Sequence, residues 1–140
     1  MLNHIFLFSA ISIIAFSTIY SQKSFDDLQE VKKVINLYFE GATTANVDLL
    51  KKVFHPVCVL RWSVDGKLKE NPRDNWFEWI KANGPFERKN MIEKIDITDN
   101  AAQVKAVCDL PKAQYVDYIS LLKLDGEWKI VAKIFEVINK

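Results

Sequence analysis

The chain has 140 residues, with 19 Lys or Arg against 18 Asp or Glu, for a net charge of +1. The two signs are interleaved and form no basic stripe, which excludes a nucleic-acid-binding role. The length suits a single domain with its own core, and no internal repeat or low-complexity segment divides it.

Met1 to Tyr20 carries no Asp, Glu, Lys or Arg, and Ile5 to Ile19 is a dense apolar run broken only by Ser and Thr. The run is short for a membrane span, which takes about 20 apolar residues. It reads as a secretory signal over residues 1–21, cut after Ser21 or Gln22. No Lys or Arg precedes the run, and Ile19 is bulky where a small residue is preferred. A retained N-terminal anchor is the alternative reading. Cleavage leaves residues 22–140 as a mature domain free of the membrane, secreted or in a bacterial periplasm.

The spacing of Leu28, Val31, Ile35 and Tyr38, widened by Val34, predicts a helix over 24–39. Ser24 suits its N-cap and Gly41 its stop. A short second helix follows Asn46, with Leu49, Leu50, Val53 and Phe54 on its apolar face, and His55-Pro56 ends it. "VCVLRWSV", residues 57–64, reads as a strand, and Asp65-Gly66 turns it into a short return strand, "KLKE". Asn71-Pro72 opens a third helix as cap and first residue, with Trp76, Trp79 and Ile80 as its face.

From residue 89 the pattern alternates. Four strands in an antiparallel meander are separated by Asp99-Asn100, by "PKAQ" at 111–114 and by Asp125-Gly126. Two-residue loops at the first and last turns set Thr98 opposite Ala101 and Leu124 opposite Glu127. A four-residue middle loop sets Leu110 opposite Tyr115. These registers predict one inner face. One of its rows is Glu93, Ala106, Ile119 and Ala132, and the next is Met91, Cys108, Asp117 and Ile134. The opposite face is mixed, with an apolar island of Val107, Tyr118, Leu122, Val131, Phe135 and Val137.

Glu93 and Asp117 thus lie on a nearly apolar face, where an acid must pair, protonate or meet a wet cavity. Either could act as a general base, with Tyr115 as a phenolic donor. A place at the sheet rim, or a β-bulge that turns the residue over, is the competing explanation for each. His55 is the one His after the signal segment. It is a candidate proton carrier, or else a helix-end residue bonding a free carbonyl. Trp62 and Trp76 or Trp79 could wall a pocket for a flat ligand, or simply fill the core. Trp128 reads as core. No metal site is indicated, and no nucleotide-phosphate or serine-nucleophile motif occurs. Cys58 and Cys108 read as buried, unpaired thiols.

Three helices around a first hairpin, then a long meander, resemble the nuclear transport factor 2-like superfamily. The local features "YFEGATTANVDLLKKVFHP", "DGKL" and "DGEWKI" resemble its SnoaL-like, putative lumazine-binding branch. The resemblance implies an α+β cone: a curved antiparallel sheet wrapped by three N-terminal helices, with the first strand beside the last. It also implies a pocket on the concave face and a homodimer through the outer sheet face. The expected pocket lining is Trp62, Trp76, Met91, Glu93, Ala106, Cys108, Tyr115, Asp117, Ile119, Ala132 and Ile134. The first functional expectation is an exported domain binding a small apolar or aromatic molecule. The second is a cofactor-independent isomerase, dehydratase or cyclase using Glu93, Asp117 or His55. The third is a non-catalytic accessory dimer with a filled cone.

Overall fold

In the computed structural model the backbone is described from Ile5 and the side chains from Gln22. The signal segment read over residues 1–21 lies outside the residues described in full. Helix α1 spans Ile5–Thr44, α2 Val47–Val53 and α3 Arg73–Asn83. The strands are β1 Phe54–Val64, β2 Lys67–Pro72, β3 Lys89–Thr98, β4 Ala101–Asp109, β5 Ala113–Leu124 and β6 Glu127–Asn139. They form one sheet in the order β2-β1-β6-β5-β4-β3. Neighbours are antiparallel except β1 and β6, which run parallel, so the sheet is mixed rather than wholly antiparallel.

Helix α1 buries Val31, Ile35, Tyr38, Phe39 and Ala42 along one stripe against the sheet. Each large apolar side chain so removed from water stabilises the fold by about 1.5–3 kcal/mol. Ser24 lies within this helix rather than capping it, and the chain does not stop at Gly41. It ends at Thr44, where Ala45 takes a left-handed φ of 56° and the Asn46 N–H donates to the Gly41 carbonyl at 2.8 Å. Gly41 is needed for space. A Cβ there would lie 2.9 Å from two Leu50 side-chain carbons. Asn46 caps α2 as its sequence implies, accepting from the Leu49 N–H.

The element boundaries shift where aromatic and proline residues meet. Phe54, His55 and Pro56 belong to β1, not to the end of α2. Asn71 lies within β2, which runs on to Pro72, so Pro72 takes the cap position of α3 without a side-chain cap bond. On α3 the residues turned fully inward are Phe77 and Ile80, while Trp79 is half exposed. The Arg73 guanidinium fastens this helix to β1 by donating to the Phe54 carbonyl.

The Asp65-Gly66 and Asp125-Gly126 turns both have positive φ at each central residue, the geometry that matches the twist of the flanking strands. The middle loop is two residues shorter than expected. Leu110 N–H donates to the Ala113 carbonyl, and Cys108, not Leu110, faces Tyr115. A slip of two leaves every side chain on its expected face.

Two bulges do change faces. In β3 the register jumps between Ile92 and Lys94, leaving Glu93 without an opposite residue. In β6 it jumps after Ile130, so Val131 is the extra residue. Beyond each bulge the alternation inverts. Met91, Ala132 and Ile134 therefore point to the outer face, and Lys133, Phe135 and Val137 turn into the cone. Both bulges bend the strands that curl the sheet around α1.

Cys58 and Cys108 are buried and free, on strands separated by β6 and β5.

Candidate functional site

The cone holds a cavity of about 320 Å³ between the concave sheet and α3. Its walls are aromatic. Trp62 on β1 stacks on Phe135 on β6 at 5.2 Å between ring centroids, 25° from parallel. Across from them lies Trp76, and Trp79 stacks on Phe86 at 5.3 Å and 8°. Leu60, Ile80, Leu110, Tyr115 and Val137 complete the apolar lining, and Asn71 also borders the space.

One side is polar and lies deep. Tyr38 comes from α1, Asp117 from β5 and Lys133 from β6. The Tyr38 hydroxyl donates to Asp117 Oδ2 at 2.5 Å. Lys133 Nζ donates to Asp117 Oδ1 at 3.0 Å and to the Tyr38 hydroxyl at 3.3 Å. The Asp117 side chain is wholly buried and that of Lys133 nearly so. Lys133 Nζ also sits over the rings of Tyr38, Trp76 and Phe135, at 5.4, 5.4 and 4.9 Å from their centroids. A cation enclosed by ring faces is stabilised without water.

Cys108 on β4 extends the cluster. Its Sγ is 3.8 Å from Asp117 Oδ2 and accepts from Arg88 Nη2. Burial, then the Asp117 charge, pushes the thiol pKa up against the opposing pull of Arg88 and Lys133, so Cys108 is a neutral thiol. Burial, with Asp117 next, also holds the Tyr38 phenol well above its ordinary value. Tyr38 is therefore a donor and not a base at neutral pH.

Arg88, just before β3, is braced by a chain of contacts from α1. Its Nε donates to Asn90 Oδ1 at 2.7 Å, and Asn90 Nδ2 donates to Thr43 Oγ1 at 3.2 Å. The Phe86 N–H donates to the Thr43 carbonyl at 2.9 Å. The end of α1 thereby fixes the loop that carries both an aromatic wall and a guanidinium.

Of the sequence-predicted lining, Trp62, Trp76, Cys108 and Tyr115 border the cavity. Asp117, Ala106 and Ile119 are buried on the inner face beneath it. Met91, Ala132 and Ile134 lie on the other face because of the two bulges, and Met91 and Ile134 are more than half exposed there. Glu93, at the β3 bulge, pairs with Lys105 at 2.6 Å on the outer face. His55 lies in β1, outside the lining, where its Nδ1 accepts from the Val57 N–H at 3.3 Å. Trp128 is buried at the opposite end and donates to Asp27. Among the described residues no three His, Cys, Asp or Glu gather as metal ligands would.

Sequence reasoning missed Tyr38, Arg88, Lys133 and Phe135. The signals for the last two were present. Ile130-Val131-Ala132 are three apolar residues in a row, which strict alternation does not allow, and the charged pair Glu93-Lys94 breaks the period in β3 in the same way.

Comparison with known proteins agrees with this architecture. The family model described as "Putative lumazine-binding" matches residues 26–136. The chain belongs to that family. A member of it thus presents the nuclear transport factor 2-like cone, and solved structures share it. A nuclear transport factor 2-like protein of unknown function from Shewanella baltica OS155 is 27% identical, with a TM-score of 0.77 over 83% of this chain and 97% of that one. One from Methylobacillus flagellatus KT is 29% identical, with a TM-score of 0.74 over 81% and 93%. Among curated proteins, the aldolase FrzH of a Cladobotryum species is 30% identical over 101 residues, covering 70% of this chain and 81% of that protein.

Proposed function

We propose that this domain binds one small, flat, largely apolar molecule inside the cone. The observation that carries the reading is an open, aromatic-walled cavity of about 320 Å³ with a buried polar cluster on one side. Cavities near 300 Å³ sit at the lower end of those that take small-molecule ligands, which suits one or two rings. Trp62, Trp76 and Trp79 border the space instead of filling it, which weighs against an accessory dimer with a packed cone.

A second reading is cofactor-independent carbonyl chemistry, and the 30% identity to a protein named an aldolase favours it. In that reading Asp117 is not the base, since Lys133 and Tyr38 occupy its two oxygens. Lys133, whose third N–H is not used by Asp117 or Tyr38, would instead donate to the carbonyl oxygen of a bound substrate and polarise it.

We further propose export and dimerisation. Export rests on the uncharged apolar run over residues 1–21. Dimerisation rests on the outer sheet face, where Met91, Tyr118, Leu122 and Ile134 are exposed large apolar residues. Met91 and Ile134 replace Phe135 and Val137 in the island read from the sequence, because of the bulges.

Native mass spectrometry of protein purified from its host tests all three. The expected spectrum shows a dimer lacking residues 1–21 and retaining a small ligand. Recovery only as a ligand-free monomer of full length would overturn them together.

A further inference from the structure

The charges around the cavity do not balance. Two cations border it, Lys133 and Arg88, and among the described residues no carboxylate does. Buried Asp117 neutralises Lys133 at 3.0 Å. Arg88 has no carboxylate within ion-pair distance among the described residues. Among the described residues it donates to the Asn90 carboxamide oxygen and the Cys108 sulfur, both uncharged. Among the described residues nothing accepts from its Nη1. Lys133 likewise has three N–H groups and, among the described residues, two acceptors.

Asp117 is thus the one nearby carboxylate for two cations, and a partly buried guanidinium beside an apolar space is costly unless something negative completes the set. Arg88 is also held in place before any ligand arrives, by Asn90, Thr43 and the end of α1. Pre-positioning lowers the ordering cost of binding. Arg88 and Lys133 both lie against Tyr38, whose ring centroid is 5.7 Å from the Arg88 guanidinium carbon and 5.4 Å from Lys133 Nζ. Trp62, Trp76, Trp79, Phe86, Tyr115 and Phe135 supply aromatic rings to the rest of the lining, which suit a conjugated plane.

We propose that the cone selects a planar monoanion: a conjugated one- or two-ring molecule whose negatively charged oxygen group meets Arg88 beside Lys133, with its rings between Trp62–Phe135 and Trp76. This deepens the binding reading above and rests on it. The same chemistry could be presented by a carboxylate or by an acidic phenol or enol.

The test uses the full domain and three probes: 2-naphthoate, the neutral isostere 2-naphthamide, and 2-naphthol. Quenching of the fluorescence of Trp62, Trp76 and Trp79 reports binding. Naphthoate should bind at least about tenfold tighter than naphthamide, the ratio expected from one charge-assisted hydrogen bond. Naphthol should match naphthoate only above its own pKa if the natural ligand is a phenolate or enolate, and should stay with the amide if it is a carboxylate. Arg88→Met should bring the naphthoate preference close to unity, by weakening naphthoate much more than naphthamide. Wild-type protein supplies a check that needs no variant: the Arg88 Nε–Hε resonance should move with naphthoate and stay still with naphthamide. Equal affinity for acid and amide would overturn the anion proposal while leaving the binding reading standing. Failure of all three probes to bind would overturn both, and a preference unchanged in folded Arg88→Met would remove Arg88 from the site.

Discussion

Two buried aspartates make nearly the same local contacts at opposite ends of the cone. Asp27 accepts from Lys123 Nζ at 2.8 Å and from Trp128 Nε1 at 3.2 Å. Asp117 accepts from Lys133 Nζ at 3.0 Å and from the Tyr38 hydroxyl at 2.5 Å. Each is an acid on one element held by a lysine and an aromatic donor on others. Their surroundings differ. Lys123 is shared with a second acid, the half-exposed Glu30, and water reaches the group. Lys133 has one acid, is almost fully buried, and opens on a cavity that Arg88 also borders. The Asp27 cluster has acid in excess and reads as a latch that ties α1 to the β5–β6 hairpin. The Asp117 cluster has cation in excess and reads as part of a site. Contact geometry alone would not distinguish them; the balance of charge and access to space does.

The largest expected effect separates the two directly. Asp117→Ala strands the Lys133 ammonium in an apolar interior, and breaking such a pair costs about 3–5 kcal/mol. Asp27→Ala leaves Lys123 its second partner, Glu30, and a path to water, so the loss should be nearer 1–2 kcal/mol. Urea denaturation of both variants measures the difference. Asp117→Leu combined with Lys133→Met should recover most of the loss, because apolar replacement of a buried pair is often close to neutral. Equal costs for the two single variants would erase the distinction between latch and site.

A smaller effect comes from acid. Burial acts to raise the Asp27 pKa, but the bonds from Lys123 and Trp128 outweigh it, and the folded value lies below the ordinary 3.8. A carboxylate depressed in the folded state adds stability that is present above its unfolded pKa and lost as pH falls through its folded one. Wild type should therefore lose stability below about pH 4 more steeply than Asp27→Asn does. Urea midpoints measured from pH 7 down to pH 3 check this. Parallel curves would mean that the latch has no charge component.

How far the sequence reveals these two clusters depends on periodicity. The latch lies where alternation is intact. Trp128 and Ile130 fall on the inner face as the Asp125-Gly126 turn dictates, and Lys123 pairs with Trp128 across β5 and β6. The site lies beyond the bulges. Lys133 and Phe135 reach it only because Val131 is an extra residue, and a strict period of two places both on the outside. Asp117 is on a strand whose two-residue slip costs nothing in facing, so its inward position is readable. Tyr38 is legible as helix stripe, yet nothing local marks its hydroxyl as a partner for an acid 79 positions away. Arg88 precedes a strand and is positioned through its neighbour Asn90, which a tertiary bond to Thr43 holds in place and which no pattern encodes. Turns, helices and sheet order follow from short-range chemistry, whereas the polar end of the cavity follows from two irregularities that a curved sheet needs.

The smallest expected effect concerns the acid that regular alternation would set beside Asp117. Glu93 stands at the β3 bulge, and its pair with Lys105 at 2.6 Å has both side chains about one-third exposed. An exposed pair of this kind contributes about 0–1 kcal/mol, since water screens it and two long side chains must be ordered to make it. Glu93→Gln should shift the urea midpoint little and leave naphthoate affinity unchanged, in contrast to Asp117→Asn, which disturbs both oxygens of the buried cluster. Lys105→Met should behave like Glu93→Gln, with the small stability cost shrinking further in 1 M salt, where the Debye length falls to about 3 Å. Loss of binding in Glu93→Gln would place this carboxylate inside the cone and make β3 regular, which would also return Met91 to the inner face.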